Sequence, residues 1–207
     1  MFKGTPEIIA QRREEIVASC ENLYQTLSFK DITLKEISKV TSFSRPTIYN
    51  YFQTKEEIFL ALFEKEYDRW NASLEDILAS DEKYTGKQLA DLIAKTLEKR
   101  AQLLKLLSMN NYDMEANSRE ELLVSFKRSY GKSLQIFRAI LEKHCRGISP
   151  ADIEQIMYVF FPFMFGIYPY AEVTAKQKEA MRDAEIDYKY QSIYEITYNC
   201  LARLLNE

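Results

Sequence analysis

Three features of the sequence predict an all-α fold. Glycine and proline are scarce, five of each in 207 residues, whereas an all-β chain needs turn residues every few positions. Helix-start signals recur: TP at residues 5–6, TLKE at 33–36, TKEE at 54–57, SREE at 118–121 and SPAD at 149–152. No stretch alternates apolar and polar residues long enough for a convincing strand. The expectation is about nine helices, over residues 7–28, 33–40, 44–51, 54–80, 86–99, 101–110, 118–145, 150–171 and 186–206.

Each element has its own signal. Thr5 offers a cap with Pro6 at the first helical position. Ile9, Ile16, Cys20, Leu23 and Leu27 then form a helical stripe, with Arg12, Arg13, Glu14 and Glu15 mostly off it. TLKE is a capping box, in which hydroxyl and carboxylate satisfy each other's backbone N–H groups, and the helix after it buries Leu34, Ile37 and Val40. TKEE and SREE are read the same way, and SPAD as a Ser cap, a proline and an acid. Residues 110–118, NNYDMEANS, read as a polar connecting loop. Residues 156–171, IMYVFFPFMFGIYPYA, carry no charge but are short for a membrane span and are interrupted by Pro162 and Pro169. They read as a buried helix, with no membrane partner.

Composition narrows the function. Cys20, Cys145 and Cys200 are odd in number and widely spaced, which fits a reducing cytoplasm better than a disulfide framework. The N-terminal residues lack the apolar run of a signal peptide. No metal, cofactor or catalytic set is expected. There are no paired histidines, no phosphate-cradling glycine loop and no nucleophile beside a base. His144, the one histidine, reads as a helix-terminal surface residue. Net charge is −3, but residues 1–55 hold eight Lys/Arg against six Asp/Glu. A slightly basic head on an acidic body hints at a local polyanion contact.

The stretch SFSRPTIYNYFQTKEE, residues 42–57, sharpens that hint. Two short helices joined by the break TSF make a helix-turn-helix. The second helix of that motif enters the DNA major groove. Ile48 and Phe52, with Phe43 from the turn, supply a small buried face. Arg45, Thr47, Tyr49, Asn50 and Tyr51 are left to meet base edges or phosphate, with Ser44 at the helix start. Lys55 opens the next helix, where a cation opposes the helix dipole. An approaching phosphate would explain it.

Residues 8–63 resemble the DNA-binding domain of TetR-family transcriptional regulators. The carrying segment is ITLKEISKVTSFSRPTIYNYFQTKEEIFLALF, whose SRPTIYNYF-xx-KEE-I core is specific. The resemblance implies base or nearby backbone contacts from Arg45, Thr47, Tyr49 and Asn50, and phosphate contacts from Tyr51 and Lys55. It puts Thr33 and Lys35 against the DNA backbone and Phe52 between the third and first helices. Ser42 stands where the family turn usually has glycine. If φ is positive there, the cost is on the order of 1 kcal/mol.

The resemblance also implies a division into a DNA-binding domain, 1–55, and a helical effector-binding and dimerisation domain, 56–207. It implies a homodimer on double-stranded DNA with a palindromic operator, built through residues 150–171 and 186–206. The two-fold contact is expected near Ile193, Ile196 and Cys200. A small-molecule effector is expected, and Tyr158, Phe161, Phe165 and Tyr168 form an aromatic set that suits a flat apolar or cationic ligand. The preferred reading of the same residues is plain interface core. The function expected is a repressor released by its effector. The alternative is a helix-turn-helix regulator that activates, or works through a protein partner without a ligand.

Overall fold

The computed structural model describes residues 5–109, 111–145 and 147–205. Among the described residues the regular elements are eleven helices and no strand. They are α1 (Pro6–Thr26), α2 (Leu34–Val40), α3 (Arg45–Tyr49), α4 (Lys55–Ala79), α5 (Gly86–Glu98), α6 (Ala101–Leu107), α7 (Asn111–Ala116), α8 (Glu120–His144), α9 (Pro150–Ala171), α10 (Ala175–Asp183) and α11 (Ile193–Leu204).

The all-α expectation holds, but two helices were not foreseen. Residues 111–116 of the expected loop form α7. The expected span 186–206 begins seven residues before α11, which starts at Ile193, and a separate α10 precedes it. The signals were in the sequence. Thr174 with Gln177, and Ser192 with Glu195, are full capping boxes, as are Thr85 with Gln88 and Ser149 with Asp152. Three expected boxes form only in part or not at all. The Thr33 and Thr54 hydroxyls accept from the N–H groups of Glu36 and Glu57, but Glu36 turns to Lys39 and Glu57 elsewhere. The Ser118 hydroxyl turns back to the Met114 carbonyl.

The chain divides into two compact units. The first holds Met1–Glu66 and Asn110–Tyr130. Its core is Ile16, Cys20, Ile37, Ile48, Phe52, Phe59 and Phe63, none more than 1% exposed. Tyr24 and Phe29 meet the Phe59 ring edge-on, at centroid distances of 5.1 and 4.7 Å. Burial pushes the Cys20 thiol up to about 12, so it serves here as an apolar filler.

The second unit holds Tyr67–Met109 and Gly131–Glu207. Here α11 packs along α5, and α6 and α11 pack on α9. Trp70 is fully buried, its ring against Phe161 and its Nε1–H donating to Thr96 Oγ1 at 2.9 Å. Phe137 stacks on Phe160, and the buried Ser133 hydroxyl bonds Asn71 Oδ1 at 2.6 Å. Helix α9 buries Ile153, Ile156, Met157, Phe160, Phe161, Met164 and Ile167. It runs unbroken through Pro162 and Pro169, both of which lie on its exposed side. Among the described residues no single helix is long and apolar enough to cross a membrane.

Two details correct the sequence reading. His144 is 6% exposed, with its ring 4.9 Å from that of Tyr84 and no partner for Nε2. It is buried because the last turn of α8 carries it inward. Helix α10 buries nothing and ends with Glu185 in the left-handed region, φ 55°, while the Ile186 N–H reaches back to Met181 O. This is a Schellman-type stop made without the usual glycine.

The close approach of α5 and α11 yields a paired prediction. A Cβ on Gly86 would fall 2.1 Å from the Leu205 carbonyl oxygen, whereas one on Gly131, inside α8, meets nothing within 4 Å. Helix propensity alone favours alanine at both. Thermal denaturation should show Gly131→Ala stabilised by about 0.5–1 kcal/mol and Gly86→Ala destabilised by about 1–3 kcal/mol. Equal gains at both sites would mean that the α5–α11 contact is looser than described.

Candidate nucleic-acid interface

Helix α3 has five residues and one buried side chain, Ile48. Ser44 is its N-cap residue, but the Ser44 hydroxyl pairs with Thr47 Oγ1 at 2.9 Å instead of capping the backbone. Arg45 and Tyr49 form a second local pair. The guanidinium donates to the Tyr49 hydroxyl at 3.1 Å and lies 5.6 Å from the ring centroid. Arg45, Tyr49 and Asn50 are exposed and Thr47 is half-buried. Thr33 and Lys35, at the start of α2, are also exposed. Phe52 is fully buried, and the Arg13 guanidinium sits 4.4 Å above its ring.

Two expected contact residues are placed otherwise. Tyr51 is 5% exposed, and its hydroxyl accepts a bond from Arg12 Nη1 at 3.0 Å. Its ring lies beside Phe43, so Tyr51 belongs to the core side. Lys55 donates to the Phe29 carbonyl at 2.8 Å, with its Nζ 4.0 Å from the Phe29 ring centroid. That internal bond gives the cation at the helix start a partner within the head.

At the turn before α3 the condition for a strained Ser42 is not met. Among the described residues Glu185 is the one non-glycine with positive φ, so Ser42 carries no left-handed strain. Instead the Ser42 N–H and hydroxyl both donate to Glu15 Oε1, at 2.8 and 2.6 Å. Those two bonds hold the Glu15 carboxyl below the usual carboxylate range.

A network without a local sequence signal surrounds the end of α3. The Tyr51 carbonyl accepts from Arg13 Nη1 and from Arg119 Nη2, each at 3.2 Å. Arg119 also forks onto Glu57, Nε to Oε1 at 2.7 Å and Nη2 to Oε2 at 3.0 Å. The Gln53 N–H donates to Glu57 Oε2 at 2.7 Å and the Arg119 N–H to Oε1 at 3.2 Å. Glu57 itself is 1% exposed. Arg12, Arg13, Glu15, Glu57 and Arg119 carry no site role in the sequence expectation, and each has a partner 27 to 68 residues away.

In the second unit the four aromatics do not converge on one pocket. Phe161 belongs to the core at 5% exposure, Tyr168 is half-buried, and Tyr158 and Phe165 face outward at 80% and 43%. The reason is rotation: α9 turns Phe161 towards Trp70 and Phe137 and leaves Tyr158 and Phe165 beyond the edge of that face. A groove of about 590 Å³ lies between α9 and α11, lined by Pro162, Gly166, Tyr170, Ile196 and Cys200 among others. Ile193 is not among the residues that line it and is buried, at 6% exposure.

The family profile described as bacterial regulatory proteins, tetR family, matches residues 16–62. A second, tetracyclin repressor-like C-terminal domain, matches residues 64–189, more than half of the chain. The chain belongs to the TetR family.

The HTH-type transcriptional regulator EthR of Mycolicibacterium smegmatis is 30% identical over 69 residues. That of Mycobacterium tuberculosis is 32% identical over 66. Each match covers about a third of this chain and about a third of the relative. Solved TetR-family structures share the whole fold at low identity. A putative regulator from Mesorhizobium loti has a TM-score of 0.61 at 15% identity, covering 98% of both chains. FadR from Bacillus subtilis in complex with stearoyl-CoA has a TM-score of 0.57 at 17% identity, covering 93% of this chain and 97% of its own.

The Glu57 network gives the TetR-family head an acid dependence. Burial works to raise the Glu57 carboxyl, but the Arg119 guanidinium, with the Gln53 and Arg119 N–H groups, outweighs it and the net direction is down from 4.5. A lowered folded pKa contributes stability above the unfolded value, which is lost as pH falls through the folded one. Denaturation midpoints measured downward from pH 7 should therefore fall more steeply below pH 4.5 in the parent than in Glu57→Gln. The variant should be less stable at neutral pH by about 1.5–3 kcal/mol. Parallel curves would show that Glu57 is not ionised in the folded head.

Proposed function

We propose that this protein is a homodimeric transcriptional repressor that binds a palindromic operator and is released from it by a small-molecule effector. The observation that carries the reading is α3, a helix with one buried side chain and an exposed Arg45–Tyr49 pair. A helix kept so short and so polar on its outer side has little use as core.

In this reading residues 1–55 are the DNA-binding domain, in the cytoplasm, where DNA and reduced thiols are found. Arg45 exchanges the Tyr49 hydroxyl for guanine O6 and N7. Asn50 suits adenine, and Thr47 offers a methyl group to thymine. Thr33, Lys35 and Ser44 approach phosphate and fix the register. Tyr51 and Lys55 are assigned a different task, since both are bonded within the head: they hold the helix that reads.

Dimerisation is assigned to the outward face of α9 and the groove it forms with α11, including Ile196 and Cys200. That face exposes Tyr158, Val159, Phe165 and Tyr170, and a contiguous apolar surface of this kind marks an interaction site. Two heads on one dimer reach two half-sites. The effector reading is supported by relatives of the fold. FadR from Bacillus subtilis was solved with stearoyl-CoA, and the Thermus thermophilus protein, with a TM-score of 0.56, with lauroyl-CoA.

The test is binding to DNA selected from a random pool, and to single-base variants of the selected site. Arg45→Ala should cost about 1–3 kcal/mol on the cognate site and relax preference at one base pair per half-site. A uniform loss on all sequences would assign Arg45 to phosphate, and no loss would remove α3 from the interface.

A further inference from the structure

The DNA-reading head is held by a residue far outside it in sequence. We propose that Arg119, locked by Glu57, is a positioning residue for DNA recognition: it sets the orientation of α3 by holding the Tyr51 carbonyl. The inference rests on α3 being the reading helix, and it adds to the head a residue beyond the 16–62 segment that the N-terminal family profile matches.

Helix α3 ends at Tyr49, with Asn50 as its C-cap residue. The carbonyls after a helix end need partners, and Tyr51 O has two guanidinium groups. Arg13 comes from α1, which also braces the Phe52 ring. Arg119 comes from the residue just before α8. The segment around it is fixed to the α3–α4 connection at a second point, where the Thr54 hydroxyl donates to Asn117 O at 2.9 Å.

Arg119 is not placed to meet DNA itself. Its Nε and Nη2 are taken by Glu57, Nη2 also serves Tyr51 O, and Nη1 lies 3.3 Å from Glu121 Oε1. Two carboxylates offset its charge, so it has little left for a phosphate. Glu57 in turn accepts four bonds while almost wholly buried. Such a fork fixes direction as well as distance, and a lysine cannot reproduce it. Losing it removes one of the two guanidinium donors on the Tyr51 carbonyl and lets α3 turn against α1. Every base contact on α3 shifts together.

That predicts a signature unlike a lost phosphate contact or a lost base contact. The measurement is affinity for the selected site and for random duplex DNA, across a salt series, with the full-length protein. Arg119→Ala should lower the ratio of specific to non-specific affinity roughly tenfold, spread over several base pairs. Its salt slope should match the parent's, since no phosphate partner is lost. Arg119→Lys and Glu57→Gln should fall between, and they carry the test if the alanine variant does not fold. Phe126→Leu, which loosens the Phe63 contact in the same unit, serves as a destabilised control that keeps the ratio. An unchanged ratio in all three network variants overturns the proposal while leaving the DNA reading intact. A salt slope reduced by about one overturns it too, by making Arg119 a phosphate ligand. If the parent protein selects no sequence at all, the DNA reading fails and this inference falls with it.

Discussion

A helix of five residues cannot fix its own direction, so the hydrogen bonds gathered on the Tyr51 carbonyl are what the head depends on. Ile48 and Phe52 anchor α3 by burial, but burial is non-directional. Direction comes from the polar ties. Glu15 holds the turn before α3 through Ser42, and Arg13 and Arg119 hold the chain after it. With both ends tied, the side chains between them can remain exposed and polar. That freedom is what a surface for reading DNA requires.

The second unit uses its apolar residues differently. Helix α9 has apolar or uncharged side chains nearly all round, yet the chain itself covers only one face. The core takes Phe160, Phe161 and Met164, while Tyr158 and Phe165 stay outside. Prolines 162 and 169 lie on the open side. The proposed dimer gives the open face its purpose.

How much could be read from the sequence followed the range of the interactions. The helix-turn-helix was legible because its signals are local: TLKE, the TSF break and the SRPTIYNYF run. The all-α fold was legible from punctuation for the same reason. α10 was missed although TAKQ and SIYE are capping boxes of the kind recognised elsewhere in the chain. The placements of Tyr51, Lys55 and Arg119 were not legible. Tyr51 looks like its neighbour Tyr49, and it is the Arg12 hydrogen bond, 39 residues away, that holds it inside. Lys55 is expected at phosphate, and the Phe29 carbonyl that it bonds lies 26 residues off. The aromatic set on α9 divides between core and surface because periodicity places residues on a face without saying which neighbour covers it.

In the proposed function α3 enters the major groove, once from each subunit of the dimer. Methylation interference on the selected DNA tests this most directly, since methyl groups on guanine N7 lie in the major groove and those on adenine N3 in the minor groove. The account predicts interference at guanine N7 in two symmetric clusters, separated by about one helical turn of 10–10.5 base pairs or a multiple of it. Interference confined to adenine N3, or a single unpaired cluster, would contradict it.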